Sequence, residues 1–253
     1  MIPCTLRLLH LLTTHVVSCY NPNTTTYIVK PWSLDMFRKM TGTFLIGLIL
    51  IPHPISASPT LTSWSQADPE SRRAALQLAR RAFDTYAKQR QIVAPESTLG
   101  PLFSLRSGVF ISTMLHGAPR SCMGSLYPMQ ADLAHEIVAC AVASAGQDRR
   151  FQSVKSSELQ SLRLIVSLVD RPVPIAFSAV QSLDPVHNGL AMRSGDRYGV
   201  VLSGETSHLD RMIAWARTRA GAGPADTVSY YRIDDIRLIE ASPEDPGPQT
   251  SAE

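Results

Sequence analysis

The sequence lacks the motifs that identify most enzymes directly. Its 253 residues contain no HExxH zinc motif, no GxxxxGK phosphate loop and no GxSxG nucleophile elbow. The four cysteines, Cys4, Cys19, Cys122 and Cys140, have none of the close spacings of a zinc knuckle or a redox CxxC pair. The seven histidines are equally dispersed. The sequence therefore predicts no metal site and no cofactor, and it assigns no reaction.

A charge imbalance and a long hydrophobic run are also missing. The net charge is only +3 and the basic residues are scattered, whereas a nucleic-acid-binding protein usually has a clustered basic patch. The uninterrupted apolar run ahead of Pro52 is about half the ~20 residues that a membrane-spanning helix needs. With 44% hydrophobic and 18% charged residues, the chain has the composition of a soluble globular domain, and we expect neither nucleic acid nor membrane as its partner.

The first sixty residues have the layout of an export signal. A basic pair, Arg38 and Lys39, precedes the apolar run of residues 41–51, and Pro52, Pro54 and the small residues 56–58 follow. We interpret residues 36–58 as a signal peptide that is cleaved near Ala57, and residues 1–35 as an over-extended gene start or a disordered leader. The protein is then periplasmic or extracellular. The alternative is a cytoplasmic protein with a disordered apolar leader.

Periodicity and end signals predict the elements of one domain over residues 68–240, followed by a disordered tail over 241–253. Helical spacing and capping residues predict helices from Asp68 to about Gln91, over 131–145 and from about 206 to 219. Apolar and β-branched runs predict strands over 108–115, 120–126, 162–169 and 228–239, with a hairpin formed by 190–193 and 198–202. This order predicts an α+β fold with a largely antiparallel sheet and flanking helices.

Four stretches, in order, carry a resemblance to a known family. Residues 120–124 (Arg-Ser-Cys-Met-Gly) resemble its motif Leu-Arg-Gly-Cys-Ile-Gly, and residues 145–159 resemble its "A..D.RF … EL" segment. Residues 164–169 resemble the "VSVL" strand, and residues 184–221 resemble the series "DP..HGL … GR.GLLLP … KAGL". The chain thus resembles the AMMECR domain family, in bacteria component A of the AmmeMemoRadiSam set, over about residues 70–240.

The resemblance implies an α+β fold in two unequal lobes with a cleft between them. It also implies association with a Memo-type protein or a radical S-adenosylmethionine protein, but no settled reaction. Several motif positions differ: Ser121 replaces Gly, Asn188 is inserted between His and Gly, Ser203 replaces Pro and Arg219 replaces Lys. A reaction that used that Lys as a base or a Schiff-base amine is in doubt here, because Arg does not deprotonate.

The match is densest at residues 120–124, so we expect this segment to edge a cleft that binds a small molecule or a peptide. Cys122 is the candidate catalytic residue, as a nucleophile activated by Arg120 or a nearby histidine. The alternative is a packed strand thiol. Whether Cys122 and Cys140 pair is left open, although a buried free thiol suits Cys140. A non-catalytic role, assisting the Memo-type or radical enzyme, is the alternative function.

The candidate ligand contacts are these: Arg120, Met123, Gly124, Arg150 and His187. Each has a structural interpretation as well. Arg120 is an anion-binding group or the partner of Asp132 or Glu136. Gly124 fits a backbone requirement, and Asp148, Arg150 and Glu158 fit a structural network around Phe151. His187 fits a turn, and Asp132 with Glu136 fits a solvated pair on one helix face.

Overall fold

The computed structural model describes Val17–Ser18 and residues 58–241, and within these residues two antiparallel sheets lie between helices. The helices are α1 (Pro59–Ser65), α2 (Pro69–Gln89), α3 (Leu133–Gly146), α4 (Phe177–Val180) and α5 (Leu209–Arg219), with two short 3-10 helices, Pro101–Ser104 and Ser156–Ser161. The strands are β1 (Val17–Ser18), β2 (Gly108–Leu115), β3 (Ala118–Ser125), β4 (Leu162–Val169), β5 (Val173–Ile175), β6 (Gly189–Ser194), β7 (Arg197–Val201), β8 (Ser229–Ile233) and β9 (Asp235–Ile239).

The first sheet has the strand order β1-β3-β2-β4-β9, and its inner face packs on the helices α2 and α3. Val109, Ile111, Leu164, Val166 and Leu168 point into this main core, as the two-residue period of a strand requires. Asp68 caps α2 through Ser71 N at 2.7 Å, and Pro69 occupies the first turn, as the sequence predicts. The long α2 and the Ala-rich α3 therefore cover one whole face of the sheet.

The second sheet, β5-β8-β6-β7, forms the smaller lobe. Its outer face packs on α5 through Leu190, Met192, Val201, Met212 and Ala216. Its other face meets the outer face of the first sheet in a small cluster: Phe110, Cys122, Leu126, Val169, Ala191, Val200, Leu202 and Ile233. The predicted α+β class with largely antiparallel pairing and flanking helices is confirmed.

Strand prediction was right at β2 and β4, residue for residue, and wrong at the end of the chain. The single strand predicted over 228–239 is two strands, because β8 pairs with β6 in the second sheet and β9 pairs with β4 in the first. Asp234 lies at the crossing, where its carbonyl accepts a hydrogen bond from Asp170 N at 2.9 Å and its carboxylate binds Arg232 at 2.9 Å. The alternation of apolar and polar residues continues through both strands, so it does not show that the chain passes from one sheet to the other.

Helix boundaries account for the other differences. The helix predicted over 131–145 begins after Asp132, whose carboxylate caps it through His135 N at 2.9 Å. Gly146 lies in the last turn of this helix, and a Cβ there would lie 2.5 Å from the Tyr86 ring. The third predicted helix begins at Leu209, with His208 as its N-cap residue. The predicted leader and the tail lie outside the described residues, apart from Val17–Ser18, Ser58 and Ala241.

Two side chains of β9 join the lobes at Ser203, two residues after the end of β7. Asp235 Oδ1 accepts a hydrogen bond from Ser203 N at 3.1 Å, and Arg237 donates to Ser203 O at 2.8 Å. Burial raises the pKa of Asp235 from 3.8 to about 6. The hydrogen bonds with Ser203 and the charge of Arg237 oppose the rise, and Glu205 adds to it. The folded protein therefore holds a proton on Asp235 in a pH range where the unfolded chain has lost it.

We predict that this proton makes stability depend on pH. Because the folded pKa is the higher one, the free energy of unfolding falls as the pH rises from about 4 to about 6, by at most about 3 kcal/mol. Asp235→Asn keeps the acceptor for Ser203 N and cannot ionise, so its stability relative to the parent rises over the same pH range. Urea titrations of both proteins from pH 4 to pH 7.5 measure this difference. A constant difference across the range would contradict it.

Candidate functional site

Cys122 lies on the outer face of β3, in the cluster where the two lobes meet. Its side chain is 6% exposed, packs with Phe110 and Leu126, and accepts a hydrogen bond from Ser112 Oγ at 3.1 Å. Cys140 is a free, buried thiol in the main core, on the other face of the sheet. Burial, with Glu136 nearby, raises the pKa of Cys140. The two thiols do not form a disulfide, and the burial of Cys122 favours packing over nucleophilic attack.

A buried ion pair occupies the backbone groups of Cys122 that point away from β2, at the edge of the sheet. Asp148 accepts a hydrogen bond from Cys122 N at 2.9 Å, and Arg150 donates to Cys122 O at 2.7 Å. Arg150 Nε also donates to Asp148 at 2.7 Å, and the two side chains are 7% and 3% exposed. The pair fills both backbone positions that a further strand would use at Cys122, so it ends the pairing edge of β3 there.

Arg120 continues this polar network on the same strand. Its guanidinium binds Glu158 through two contacts, of 2.8 and 3.0 Å, and lies 5.9 Å from the centre of the Phe151 ring. The hydrogen bonds from Arg120 lower the pKa of Glu158. The predicted network around Phe151 is confirmed, but the partner predicted for Arg120 was wrong. Glu158 is presented by the second 3-10 helix, a link that sequence spacing could not show.

Asp132 and Glu136 are not the solvated pair that their spacing suggested. Glu136 is only 2% exposed, and its carboxylate accepts hydrogen bonds from Ser125 Oγ, Met129 N and Gln130 N, each at 2.7 Å. It fixes the loop between β3 and α3, whereas Asp132 caps α3. Helical spacing places two residues on one face but does not say whether that face is buried.

Gly124 is the next position along β3 whose backbone N–H and C=O point away from β2, toward the edge of the sheet. Because the N–H and C=O of Cys122 point away from β2, those of Gly124, two residues on, point the same way. Here the strand β1 completes the sheet, since Val17 pairs with Gly124 and Ser18 with Met123. A Cβ on Gly124 would lie 2.2 Å from Val109 O and 2.5 Å from the Phe110 ring, so this position needs glycine for packing. The predicted backbone role of Gly124 is thereby explained.

The edge strand of the smaller lobe, β7, is closed by a second ion pair that the sequence did not predict. Arg219 donates to Val200 O, and Glu205 accepts from Leu202 N at 2.8 Å. The two side chains bind each other at 2.9 Å and are 4% and 17% exposed. Arg219, which stands where the resembled family has Lys, thus has a structural partner. In the sequence, the only sign of this pair is that Glu205 and Arg219 have opposite charges, and they lie 14 residues apart.

The two edges meet where β1 lies, because β1 contacts β7 as well as β3. We call this space the edge groove and define it by Gly124, Tyr127, Tyr198 and the strand β1. Tyr127 is 42% exposed, and the Tyr198 ring lies near the Tyr231 ring, with ring centres 5.9 Å apart and a tilt of 50° between the planes. Burial raises the pKa of Tyr198 to about 12, and Tyr127 adds to the rise.

The other predicted contacts lie elsewhere. Met123 lies two residues from both Ser121 and Ser125, so it shares their face of β3. Because those serines bond to α3, Met123 points to the inner face, where it is 3% exposed. His187 is largely exposed and binds Asp184 of its own turn at 2.6 Å, and this turn packs against Gly204. The structure therefore brings together Arg120, Cys122, Gly124 and Arg150, but neither Met123 nor His187. Across the described part of the chain, no group of three metal-binding side chains occurs.

Comparison with known proteins places this geometry in a family. The AMMECR1 family model matches residues 76–233, and the chain belongs to this family. A Thermotoga maritima protein is 31% identical over 160 residues, which are 60% of this chain and 90% of that protein. A Methanosarcina mazei protein is 29% identical over 136 residues, 51% of this chain and 68% of that protein.

A solved structure shares the fold. The uncharacterized protein PH0010 of Pyrococcus horikoshii superimposes with a TM-score of 0.61 at 23% identity, and the match covers 72% of this chain and 97% of that protein. In the described residues, no helix is both long and apolar enough to cross a membrane.

We predict that Gly124→Ala destabilises the fold by about 2 kcal/mol or more, because the added methyl group overlaps Val109 O. Gly100→Ala is the matched control, since nothing lies within 4 Å of its Cβ and its φ of −64° suits alanine. Urea denaturation compares the two variants with the parent. Equal stability of the two variants would disprove the packing role of Gly124.

We also predict that Asp148→Ala costs about 3–5 kcal/mol, because it removes the counter-charge of a buried arginine and the acceptor of Cys122 N. The control is Glu96→Gln, which removes a surface partner of Arg81 and should change stability by less than about 1 kcal/mol. Denaturant midpoints measure both. If the two changes were equally mild, the edge of β3 would not depend on this pair.

Proposed function

We propose that this AMMECR1-family protein is an exported binding protein that receives an extended peptide segment as an added strand in the edge groove. The single observation that carries the proposal is the antiparallel pairing of Val17–Ser18 with Met123–Gly124. A strand edge that accepts one extended segment offers the same backbone groups to another, because main-chain hydrogen bonds supply most of the affinity in strand addition.

The surroundings of the groove support a short ligand. The ion pair of Asp148 and Arg150 occupies the edge at Cys122, so added pairing centres on Gly124. Across the groove, Arg219 and Glu205 occupy the edge of β7 at Val200 and Leu202. We therefore expect a ligand of only a few residues, with alternate side chains directed to the two faces of the added strand.

The burial of Cys122 makes the proposed binding non-covalent. Its side chain is 6% exposed and packed between the lobes, so a peptide at Gly124 would lie beside the thiol without direct access to it. Arg120 is held by Glu158 and Phe151, and it bounds the groove without being a free anion site. Recognition then depends on the backbone of the ligand and on apolar contacts.

Export decides which ligands the protein meets. The signal-peptide layout of residues 36–58 supports a location outside the cytoplasm, where secreted peptides and unfolded segments are available. The predicted partnership with a Memo-type or radical S-adenosylmethionine protein uses the same groove, because a partner chain can supply the same kind of strand. That partnership requires the cytoplasmic alternative, so a measured location separates the two.

Binding of a synthetic peptide tests the proposal. The probe is a peptide of residues 13–22 with Cys19→Ser, added to a chain that begins at Ser58 and contains all three hydrophobic clusters. Because the outward groups of Gly124 face Val17, N-methylation of Val17 removes a hydrogen bond to β3. We expect calorimetry to show affinity about three- to tenfold lower than for the unmodified peptide.

The matched control is the same peptide methylated at Ser18, whose N–H points away from β3 and whose affinity should be little changed. Equal weakening by both methyl groups would mean that the peptide does not bind as a strand. Absence of binding by the unmodified peptide would contradict the proposed function itself.

A further inference from the structure

Three buried polar atoms on the outer face of the first sheet have no hydrogen-bond partner among the described residues. They are Ser167 Oγ of β4, and Asp235 Oδ2 and Arg237 Nε of β9. Ser167 is only 1% exposed. Most buried polar groups in proteins are hydrogen-bonded, because a buried donor or acceptor without a partner costs its full desolvation free energy. Three such atoms on neighbouring strands therefore indicate a shared partner.

The register of the sheet places these three side chains next to one another. Ser167 lies directly opposite Arg237, and Asp235 lies two residues before Arg237 on β9. Residues two apart on a strand share a face, so all three lie on the face of Val169, which meets the smaller lobe. Directly opposite Cβ atoms are about 5 Å apart and diagonal neighbours about 7–8 Å apart. A bridging molecule fits this spacing better than a direct bond between the serine and the aspartate.

The loop after β7 holds Asp235 and Arg237 in position. Asp235 Oδ1 accepts a hydrogen bond from Ser203 N at 3.1 Å, and Arg237 Nη1 donates to Ser203 O at 2.8 Å. Gly204 lies so close to the guanidinium that a Cβ there would be 2.8 Å from Nη1. The unpartnered Oδ2 and Nε thus belong to side chains that are already fixed, and a ligand meets preformed positions.

We propose that the joint between the lobes contains a site for one ordered water molecule, bound by Ser167 Oγ, Asp235 Oδ2 and Arg237 Nε. A buried water typically has about three hydrogen-bond partners. Arg237 Nε–H donates to the water oxygen, the water donates to Asp235 Oδ2, and the Ser167 hydroxyl rotates to complete the set. Phe110 and Val169, the cross-strand neighbours of Ser167 and Asp235, are buried and apolar. They offer no partner to a ligand with more polar groups than water.

The sign of the effect of Ser167→Ala on stability tests the site. In the chain that begins at Ser58, the variant should lower the folding equilibrium constant about threefold to tenfold, because it removes one net hydrogen bond to the water. A buried hydroxyl without a partner would instead be replaced favourably by a methyl group. Urea denaturation at neutral pH measures the change. An equal or higher folding constant in Ser167→Ala would overturn the proposal.

A crystal structure of the same chain, at a resolution that shows ordered water, tests the site directly. We expect electron density for one water within hydrogen-bond distance of Ser167 Oγ and Arg237 Nε. This density should weaken or vanish in Ser167→Ala. It should remain in the matched control Ser112→Ala, whose hydroxyl lies on the same face and donates directly to Cys122 Sγ. A parent structure without this water, or water density unaffected by Ser167→Ala, would overturn the proposal, and neither result depends on peptide binding.

Discussion

Two buried ion pairs, each closing the edge of a different sheet, set the shape of this protein around its groove. Arg150 with Asp148 satisfies the outward backbone groups of Cys122, and Arg219 with Glu205 does the same at the edge of β7. An open strand edge invites uncontrolled pairing, and natural proteins block it with charge or cover it. Buried ion pairs contribute little net stability, so their value here is geometric: they leave a short stretch around Gly124 for pairing.

The contact between the two lobes involves residues next to these ion pairs. Among the described residues, the outer face of the first sheet packs on the second through a small cluster that includes Phe110, Val169 and Val200, and the hydrogen bonds of Asp235 and Arg237 to Ser203 add a polar link. A Cβ on Gly124 would lie 2.5 Å from the Phe110 ring, so the glycine leaves room for Phe110 in the cluster between the lobes. The motif at residues 120–124 thus serves packing first. Its thiol fills space between the lobes, and its glycine lets β3 pack closely against Val109 and Phe110.

Much of this fold follows from local sequence. The strands β2 and β4 have continuous apolar and β-branched runs, and α2 has a capping Asp with Pro behind it, so local rules predict them well. The split of residues 228–239 between two sheets escaped prediction because both halves have the same alternation. Local patterns report which side chains are apolar, but not which sheet receives them.

The site was predictable only in part, for the same reason. The resemblance located the important segment, and the network around Phe151 followed from charged residues close in sequence. The partner of Arg120, the burial of Glu136 and the pair of Arg219 with Glu205 depend on contacts between elements far apart in the chain. Arg219, at the position of the family Lys, has a fixed structural place at β7, where it binds Glu205 and Val200 O.

Amide hydrogen exchange at two neighbouring positions tests the central claim most directly. In the chain that begins at Ser58, Cys122 N–H is bonded to Asp148 and should exchange slowly whether or not peptide is present. Gly124 N–H should exchange quickly alone and slowly once the peptide of residues 13–22 is added, because only an added strand supplies its partner. Slow exchange at Gly124 without peptide, or unchanged exchange with it, would contradict the account.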